Sequence, residues 1–248
     1  MLNSVSESPS KEARKRAEEI ATNAAASLWR AGFKADPLVA EGSPGAEIVR
    51  LIEAGAFDLA VLGAGTKTWL GSMLLGSVST HVLHSSPSST LIVHDFLPSE
   101  ERLRVLVGTD GSIESKLAID VFCDFANPWR CDTVVASVVH PVLQLAYPYP
   151  IAGGDREKEL EQRRTEQVRM FAAEGAEQLR RARFTARPAV LIGSPSTQLL
   201  KEAENLVADL VVVGSRGFGP VGRTLMGSVS DHVSRHSRAA LVGRRLRD

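Results

Sequence analysis

Continuous apolar runs alternate with helical patterns along the second half of the chain. Five runs rich in Val, Leu, Ile and Ala are predicted to be buried strands, at 103–110, 132–141, 187–193, 208–215 and 238–243. A helical pattern follows each of the first four runs, within 111–128, at 155–182, at 195–207 and from Ser228 onward. Strands that alternate with helices in this way predict an α/β fold, with an open parallel sheet covered by helices on both faces.

The helical segments carry local signals of their own. Asn127-Pro128 should end the first helix, whose predicted apolar face consists of Ile113, Leu117, Val121, Phe122 and Phe125. Ser194 is a candidate N-cap, with Pro195 at the first helical position. The long segment 155–182 is dominated by charged residues, which we interpret as a solvated face rather than as a binding site.

The chain also matches itself at a fixed offset of 151 residues. The tripeptide Gly-Ser-Pro at 42–44 recurs at 193–195, and Gly-Ser-Val-Ser at 76–79 recurs at 227–230. The register extends to single residues: Phe33 with Phe184, Pro37 with Pro188, and Val39 with Val190. A gap-free match of this length indicates duplication, and its period is too long for a solenoid repeat. We therefore predict two related domains, 1–98 and 102–248.

The two copies are not equally complete. Residues 103–153, which hold the first two predicted strands of the second copy, have no counterpart in the first copy. The segment 36–42, which matches the third strand, therefore lacks an obvious partner within its own copy. Two explanations stay open: the first copy starts upstream of Met1, or it is a remnant that serves a pairing surface.

Composition narrows the function classes. Lys plus Arg equal Asp plus Glu at 29 each, and this zero net charge disfavours a nucleic-acid partner. No apolar run approaches the length of a membrane span and no signal peptide is visible, so we expect a cytoplasmic protein without a membrane partner. Cys123 and Cys131 are expected to be reduced structural thiols. No metal site is predicted, because no His/Cys cluster has ligand spacing.

The candidate chemistry lies in a glycine-rich loop after the fourth strand, VVVGSRGFGPVGRTLMGSVSDHV at 211–233. Phosphate binding needs backbone amides that approach an anion closely and a helix N-terminus directed at it, and Gly214, Gly217, Gly227 and Ser228 meet this requirement. The alternative is a loop that only turns, with Ser228 capping its own helix through a capping box that ends at Asp231. The loop alone leaves both interpretations open.

Better-known motifs do not account for this loop. A Walker A sequence and a Gly-x-Ser-x-Gly elbow are absent. The segment 217–222 fits Gly-x-Gly-x-x-Gly, but it follows the fourth strand rather than the first, and no acidic residue ends a strand about 20 residues later. His232 and His236 share a helical face without a carboxylate or Cys partner, which favours a structural role.

The spacing Gly214-x2-Gly217-x9-Gly227-Ser228 resembles the ATP-binding pattern of the universal stress protein family, and VLVGTDGS at 105–112 resembles that family's first strand. The resemblance covers the second copy and, from about residue 11, the first. It implies a Rossmann-like open sheet in two tandem copies, the first lacking its first two strands. It also implies pairing through the fifth strands, 90–94 and 239–243, in an intramolecular pseudo-dimer or a homodimer.

The resemblance further implies a site for an adenine nucleotide, namely ATP with or without Mg²⁺. Thr109 and Asp110 would lie against the adenosine, and Val138 would line the adenine pocket. The ribose and phosphates would be held by Gly214, Arg216, Gly217, Gly227, Ser228 and Val229. Members of this family act as nucleotide-dependent stress-response regulators, so we expect no catalytic residues and no enzymatic activity.

Two alternatives are carried beside this expectation. One is a dimerisation or scaffold protein of the same fold that binds no nucleotide. The other is a nucleotide hydrolase of a related α/β class, for which Asp231 and His232 are the nearby candidate bases. In the first copy Thr66 replaces the middle glycine of the pattern, between Gly63 and Gly76-Ser77, and the first strand with its Asp and the second strand are missing. Residues 1–98 are therefore predicted to bind no nucleotide.

Overall fold

The computed structural model describes residues 11–55, 57–65, 75–94, 102–140, 155–217 and 226–244. The first copy contains α1 (Lys11–Arg30), α2 (Pro44–Gly55), β1 (Leu59–Gly63), α3 (Ser77–Ser85) and β2 (Ser89–Val93). The second copy contains β3 (Leu103–Gly108), α4 (Ile113–Phe125), a 3₁₀ turn (Pro128–Arg130), β4 (Cys131–Val139), α5 (Asp155–Arg181), β5 (Thr185–Ile192), α6 (Pro195–Asn205), β6 (Leu210–Gly214), α7 (Ser228–His236) and β7 (Ala239–Gly243).

The seven strands of the described residues form one sheet in the order β1-β2-β7-β6-β3-β4-β5. Neighbouring strands are parallel except β2 and β7, which pair antiparallel from Thr90↔Val242 to Val93↔Ala239. The predicted pairing of the two fifth strands is therefore confirmed, and it occurs within one chain. Because this pairing joins the two copies edge to edge, they share a single sheet.

Alternate residues of the strands enter two apolar clusters, one on each face of the sheet. Leu106, Val211 and Val213 belong to the cluster that includes Leu199 of α6 and Val233 of α7. Val105, Val107 and Val212 point the other way, into the cluster that includes Phe122 of α4 and Leu179 of α5. The continuous apolar strands thus have the burial on both faces that their sequences predict.

Several local predictions need correction. The buried face of α4 is Ser115, Ala118, Ile119 and Phe122, whereas Ile113 and Phe125 are exposed. The predicted face was rotated because a spacing of four residues from Ile113 drifts away from the side of the helix that meets the sheet. Helix α6 ends at Asn205, before Val207.

The unpaired segment of the first copy behaves as its sequence predicts. Residues 34–41 form no strand, although their counterparts in the second copy make up β5, which pairs with β4. The first copy has no counterpart of β3 or β4 among its described residues, so nothing there offers the segment a ladder. Helices α1 and α5 nevertheless end in the same left-handed turn, at Gly32 (φ 89°) and Arg183 (φ 70°).

Both cysteines are free. Burial, reinforced by the carboxylates of Asp120 and Asp124, raises the pKa of Cys123 to about 11, and burial also raises the pKa of Cys131. Both thiols therefore stay protonated at neutral pH, which fits a structural role. Within the described ranges, no helix combines the length and apolar character that a membrane span requires.

Candidate functional site

The candidate site is a cavity at the carboxyl ends of two adjacent parallel strands. β3 and β6 pair from Val105↔Leu210 to Gly108↔Val213, which brings Asp110 and the glycine loop to the same edge of the sheet. The cavity between them has a volume of about 470 Å³. This volume lies within the range of small-molecule sites, and its position follows the rule for open α/β sheets.

All the residues predicted for the site line this one cavity: Thr109, Asp110, Val138, Gly214, Arg216, Gly217, Gly227, Ser228 and Val229. They come from four separate parts of the second copy, namely the ends of β3, β4 and β6 and the start of α7. The sequence pattern therefore identified residues that converge only after folding.

Two positions of the pattern require glycine for different structural reasons. A Cβ on Gly214 would lie 2.7 Å from backbone atoms of Glu114 and Ser115, so this glycine lets β6 approach the first turn of α4. A Cβ on Gly217 would instead overlap the carboxylate of Asp110. Gly217 thus allows the loop after β6 to reach the acidic residue that follows β3.

The carboxylate of Asp110 is held by the turn that leads into α4. Its Oδ1 atom accepts hydrogen bonds from the backbone N–H of Ser112 at 3.0 Å and from the Ser112 hydroxyl at 2.5 Å. The neighbouring Thr109 hydroxyl lies 3.0 Å from the Ser115 hydroxyl and accepts from the Gly111 N–H. These bonds fix the direction of Asp110 before any ligand arrives.

Helix α7 begins beside the cavity without a side-chain cap. Gly227 occupies the N-cap position with extended backbone (φ −70°, ψ 148°), and Ser228 is the first helical residue. The first intrahelical bond of α7 is donated by the Asp231 N–H to the Gly227 carbonyl, at 3.0 Å. The N–H groups of Ser228 and Val229 therefore precede the helix's own hydrogen-bond ladder, and both residues line the cavity.

The alternative capping-box interpretation is wrong. Ser228 is not the N-cap, and the carboxylate of Asp231 accepts hydrogen bonds from the Arg235 guanidinium at 2.9 and 3.0 Å. The same carboxylate lies 3.0 Å from Nε2 of His84 in the first copy. Partial burial by itself raises the pKa of Asp231, but these hydrogen bonds and charges outweigh it and leave the pKa below its ordinary value.

Sequence reasoning missed one wall of the cavity. Arg164, Gln167, Val168 and Phe171 of α5 line it, so part of the helix that we interpreted as a solvated face belongs to the site. No local signal marks these residues, because their role depends on where α5 crosses the end of the sheet. The Phe171 ring occupies the space next to Gly111, where a Cβ could not fit.

His140 was also missed, although its position gave a signal. It directly follows β4 and lies two residues after Val138, at the strand end where ligands are expected. It lines the cavity, and its Nδ1 atom is buried without a hydrogen-bond partner among the described residues. A buried polar atom of this kind is uncommon and favours a polar group of a ligand as its partner.

The candidate bases of the hydrolase alternative lie elsewhere. Neither Asp231 nor His232 is among the described residues that line the cavity. Asp231 is engaged with Arg235 and His84, and the His232 ring stacks on His236 at a centroid distance of 4.3 Å. In the part of the chain that the structure describes, no three His, Cys, Asp or Glu side chains are grouped as metal ligands.

The described part of the first copy offers no equivalent cavity wall. β1, the counterpart of β6, ends the sheet, and its described residues include no counterpart of Asp110 or Val138. Thr66, on which the sequence argument also relied, lies outside the described residues.

Comparison with known proteins decides the family. The model of the universal stress protein family matches residues 2–94 and again 101–242, which together make up most of the chain. The chain belongs to the universal stress protein family. The two matched segments coincide with the two copies of the internal repeat, so the tandem arrangement is shown as well.

Relatives support this assignment. The universal stress protein Rv2623 of Mycobacterium tuberculosis is 32% identical over 191 residues, and the alignment covers 74% of this chain and 60% of that protein. The chain thus spans less than two thirds of that relative's length. A crystal structure of a universal stress protein from Archaeoglobus fulgidus superimposes with a TM-score of 0.65 and 25% identity, covering 94% of this chain and 80% of the other.

Proposed function

We propose that the cavity of the second copy binds one adenine nucleotide, namely ATP, and that the protein is a nucleotide-dependent stress-response regulator rather than an enzyme. The observation that carries this proposal is the convergence of the Gly-x2-Gly-x9-Gly-Ser residues, Asp110 and the uncapped start of α7 on one cavity. Membership of the universal stress protein family agrees with it.

The polar end of the cavity suits a phosphate tail. The amides of Ser228 and Val229 lie outside the α7 hydrogen-bond ladder, and the helix N-terminus carries about half a positive charge. Arg216 and Arg164 line the same cavity and add positive charge. Anions at helix N-termini are stabilised by this combination of free donors and dipole.

The opposite end suits a nucleoside. Val138 and Val139 of β4 line the cavity together with Val168 and Phe171 of α5, and a planar base fits between such apolar walls. Asp110 can accept a hydrogen bond from a ribose hydroxyl, and His140 Nδ1 is available to a polar edge of the base. Each end of ATP therefore meets groups of the appropriate chemistry.

The position of Asp231 and His232 supports regulation over hydrolysis. A general base must come within about 3 Å of the proton that it removes, directly or through one water. Because neither side chain lines the cavity among the described residues, the hydrolase alternative has lost its named bases.

The direct experiment is to purify the protein from cells, denature it and identify any released nucleotide by mass spectrometry, followed by calorimetric titration with ATP. We expect ATP or ADP to be released and ATP to bind. Repeating the titration with Mg²⁺ and with a chelator determines whether the metal contributes. A protein that releases no nucleotide and does not bind ATP would instead be the scaffold of the first alternative.

The variant Gly217→Val tests the location of the site. The added side chain would collide with the Asp110 carboxylate and fill the path of the phosphates, so we expect ATP binding to be abolished while the fold is kept. Circular dichroism checks the fold. Gly63→Ala is the control, because a Cβ on Gly63 meets no described atom within 4 Å and Gly63 is not among the residues that line the cavity. Unchanged titration in folded Gly217→Val would contradict the proposal.

A further inference from the structure

The first half of α5 extends beyond the sheet. α5 connects the parallel strands β4 and β5, so it runs back from the carboxyl end of β4 toward the start of β5. The Phe171 ring lies next to Gly111, just after β3, which places Phe171 at the level of the strand ends. Among the described side chains of α5, the first buried one is Ala172, and residues 159–170 contribute none. We call residues 159–170 the overhang.

One side of the overhang is directed at the cavity. Arg164, Gln167 and Val168 line the cavity together with Phe171, at spacings of three, four and seven residues that put side chains on one side of a helix. At a rise of about 1.5 Å per residue, Arg164 lies about 10 Å further along the helix axis than Phe171. This side of α5 is therefore apolar next to the sheet and polar further out.

Arg164 differs from the other arginines of the same helix. Each of the others between residues 159 and 181 forms an ion pair with a glutamate of α5: Arg163 with Glu159, Arg169 with Glu166, and Arg180 and Arg181 with Glu177. Arg164 forms no hydrogen bond or ion pair with any residue that the structure describes. Its guanidinium offers five N–H donors in a planar fork that matches the oxygens of a phosphate group.

Helices α5 and α7 reach the cavity from opposite faces of the sheet. Leu179 of α5 packs in the apolar cluster on one face, and Val233 of α7 packs in the cluster on the other. The N–H groups of Ser228 and Val229, which precede the α7 hydrogen-bond ladder, therefore flank the cavity from one side and Arg164 from the other. A phosphate has several acceptor oxygens, so a group bound by those amides can also accept from Arg164.

We propose that Arg164 binds the phosphate tail of the nucleotide, and that this contact fixes the overhang to the rest of the second copy. The inference rests on the proposed function, because it requires a nucleotide in the cavity. Without a ligand, a helix segment that buries no side chain opens locally at low cost. With a ligand, hydrogen bonds from Arg164 to the phosphates tie the overhang to the start of α7. Occupancy of the cavity is thereby transmitted to the exposed surface of α5.

Calorimetric titration of Arg164→Met tests the contact. We expect its affinity for ATP to fall about tenfold, because charge-assisted hydrogen bonds to the phosphates are lost. Adenosine, which has no phosphates, should bind the variant and the original protein equally. Arg163→Met is the matched control, since Arg163 is the neighbouring residue, is 75% exposed, pairs with Glu159 and is not among the residues that line the cavity. We expect this control to bind ATP normally. Circular dichroism checks that both variants keep their helices.

Amide hydrogen exchange tests the effect on the overhang. Saturating ATP should increase the protection of residues 159–170 in the original protein and in Arg163→Met. At the same fractional saturation, Arg164→Met should lack this increase, and residues 185–192 of β5 should not change in any of the three proteins.

Each possible failure has a distinct signature. Equal ATP affinities for Arg164→Met and the original protein would overturn the contact alone. ATP binding without added protection of residues 159–170 would overturn the fixing of the overhang. An original protein that binds no ATP would overturn this inference together with the proposed function.

Discussion

At the scale of single residues, the site depends on very close approaches between backbone and side chains. Gly214 brings β6 against the first turn of α4, and Gly217 brings the following loop against Asp110. Asp110 is in turn oriented by two hydrogen bonds from Ser112. A carboxylate fixed in this way needs little reorganisation to accept a hydrogen bond, so the proposed nucleotide site predicts a measurable contribution of Asp110 to affinity.

We expect Asp110→Ala to weaken ATP binding by about 1–3 kcal/mol, because a hydrogen bond from the nucleoside to a charged acceptor is lost. Calorimetric titration measures the affinity, and thermal unfolding reports any damage to the Ser112 turn. Equal affinities for the variant and the original protein would remove Asp110 from the binding site.

At the scale of secondary-structure elements, α3 and α7 connect the two copies beside the β2–β7 pair. Asp231 of α7 lies 3.0 Å from His84 of α3, and the His94 ring nitrogen lies 2.6 Å from the Ser234 carbonyl. The Arg244 guanidinium donates to the Leu83 and Ser86 carbonyls at the end of α3. Side chains near the ends of these helices therefore fasten the junction that the strand pair creates.

The Asp231 carboxylate should make stability depend on pH. Hydrogen bonds from Arg235 and His84 hold its pKa below the ordinary value in the folded state. A carboxyl group with a depressed pKa contributes stability above its unfolded pKa of about 4, and this contribution is lost as the pH falls through the folded pKa. We expect Asp231→Asn to lower the free energy of unfolding by about 1–2 kcal/mol at neutral pH.

Chemical denaturation of Asp231→Asn and of the original protein at a series of pH values measures this difference. It should shrink as the solution becomes more acidic than the ordinary aspartate range. Asp36→Asn, which changes an exposed aspartate, serves as the control and should show no such trend. A difference that stays constant with pH would mean that the ionised form of Asp231 is not what stabilises the junction.

At the scale of the whole molecule, two homologous halves share one sheet but not one role. The second copy surrounds a cavity, whereas in the described part of the first copy β1 is the edge of the sheet and Leu28, Phe33 and Val61 are exposed. The asymmetry follows from β3 and β4, which provide both the cavity wall and the cover of the core. A copy without these strands has neither.

We therefore expect one ATP per chain. Calorimetric titration of protein of known active fraction gives the number of ATP molecules bound per chain directly. Gly217→Val alters only the second copy and should abolish all ATP binding. Two equivalent sites per chain, or binding that persists in the first copy of that variant, would contradict the asymmetry.

The sequence by itself determined the repeat, the class of fold and much of the site. The glycine spacing and the residues that end β3 and β4 are local features, because phosphate-binding backbone and strand ends need particular residues at particular positions. The antiparallel pairing of 90–94 with 239–243 is not local, and it could be stated in advance only because of the family resemblance.

Only the tertiary structure decided which other residues meet the glycine loop and the strand ends. Arg164 and Gln167 have the ordinary composition of a helix surface, and they reach the cavity because α5 crosses the end of the sheet there. Asp231 has the spacing of a cap yet bonds to His84, which is far away in the chain. Leu28, Phe33 and Val61 are identical to core residues and are nevertheless exposed. A residue's local pattern states which environment it prefers, but which neighbours are present to supply that environment depends on contacts between distant segments.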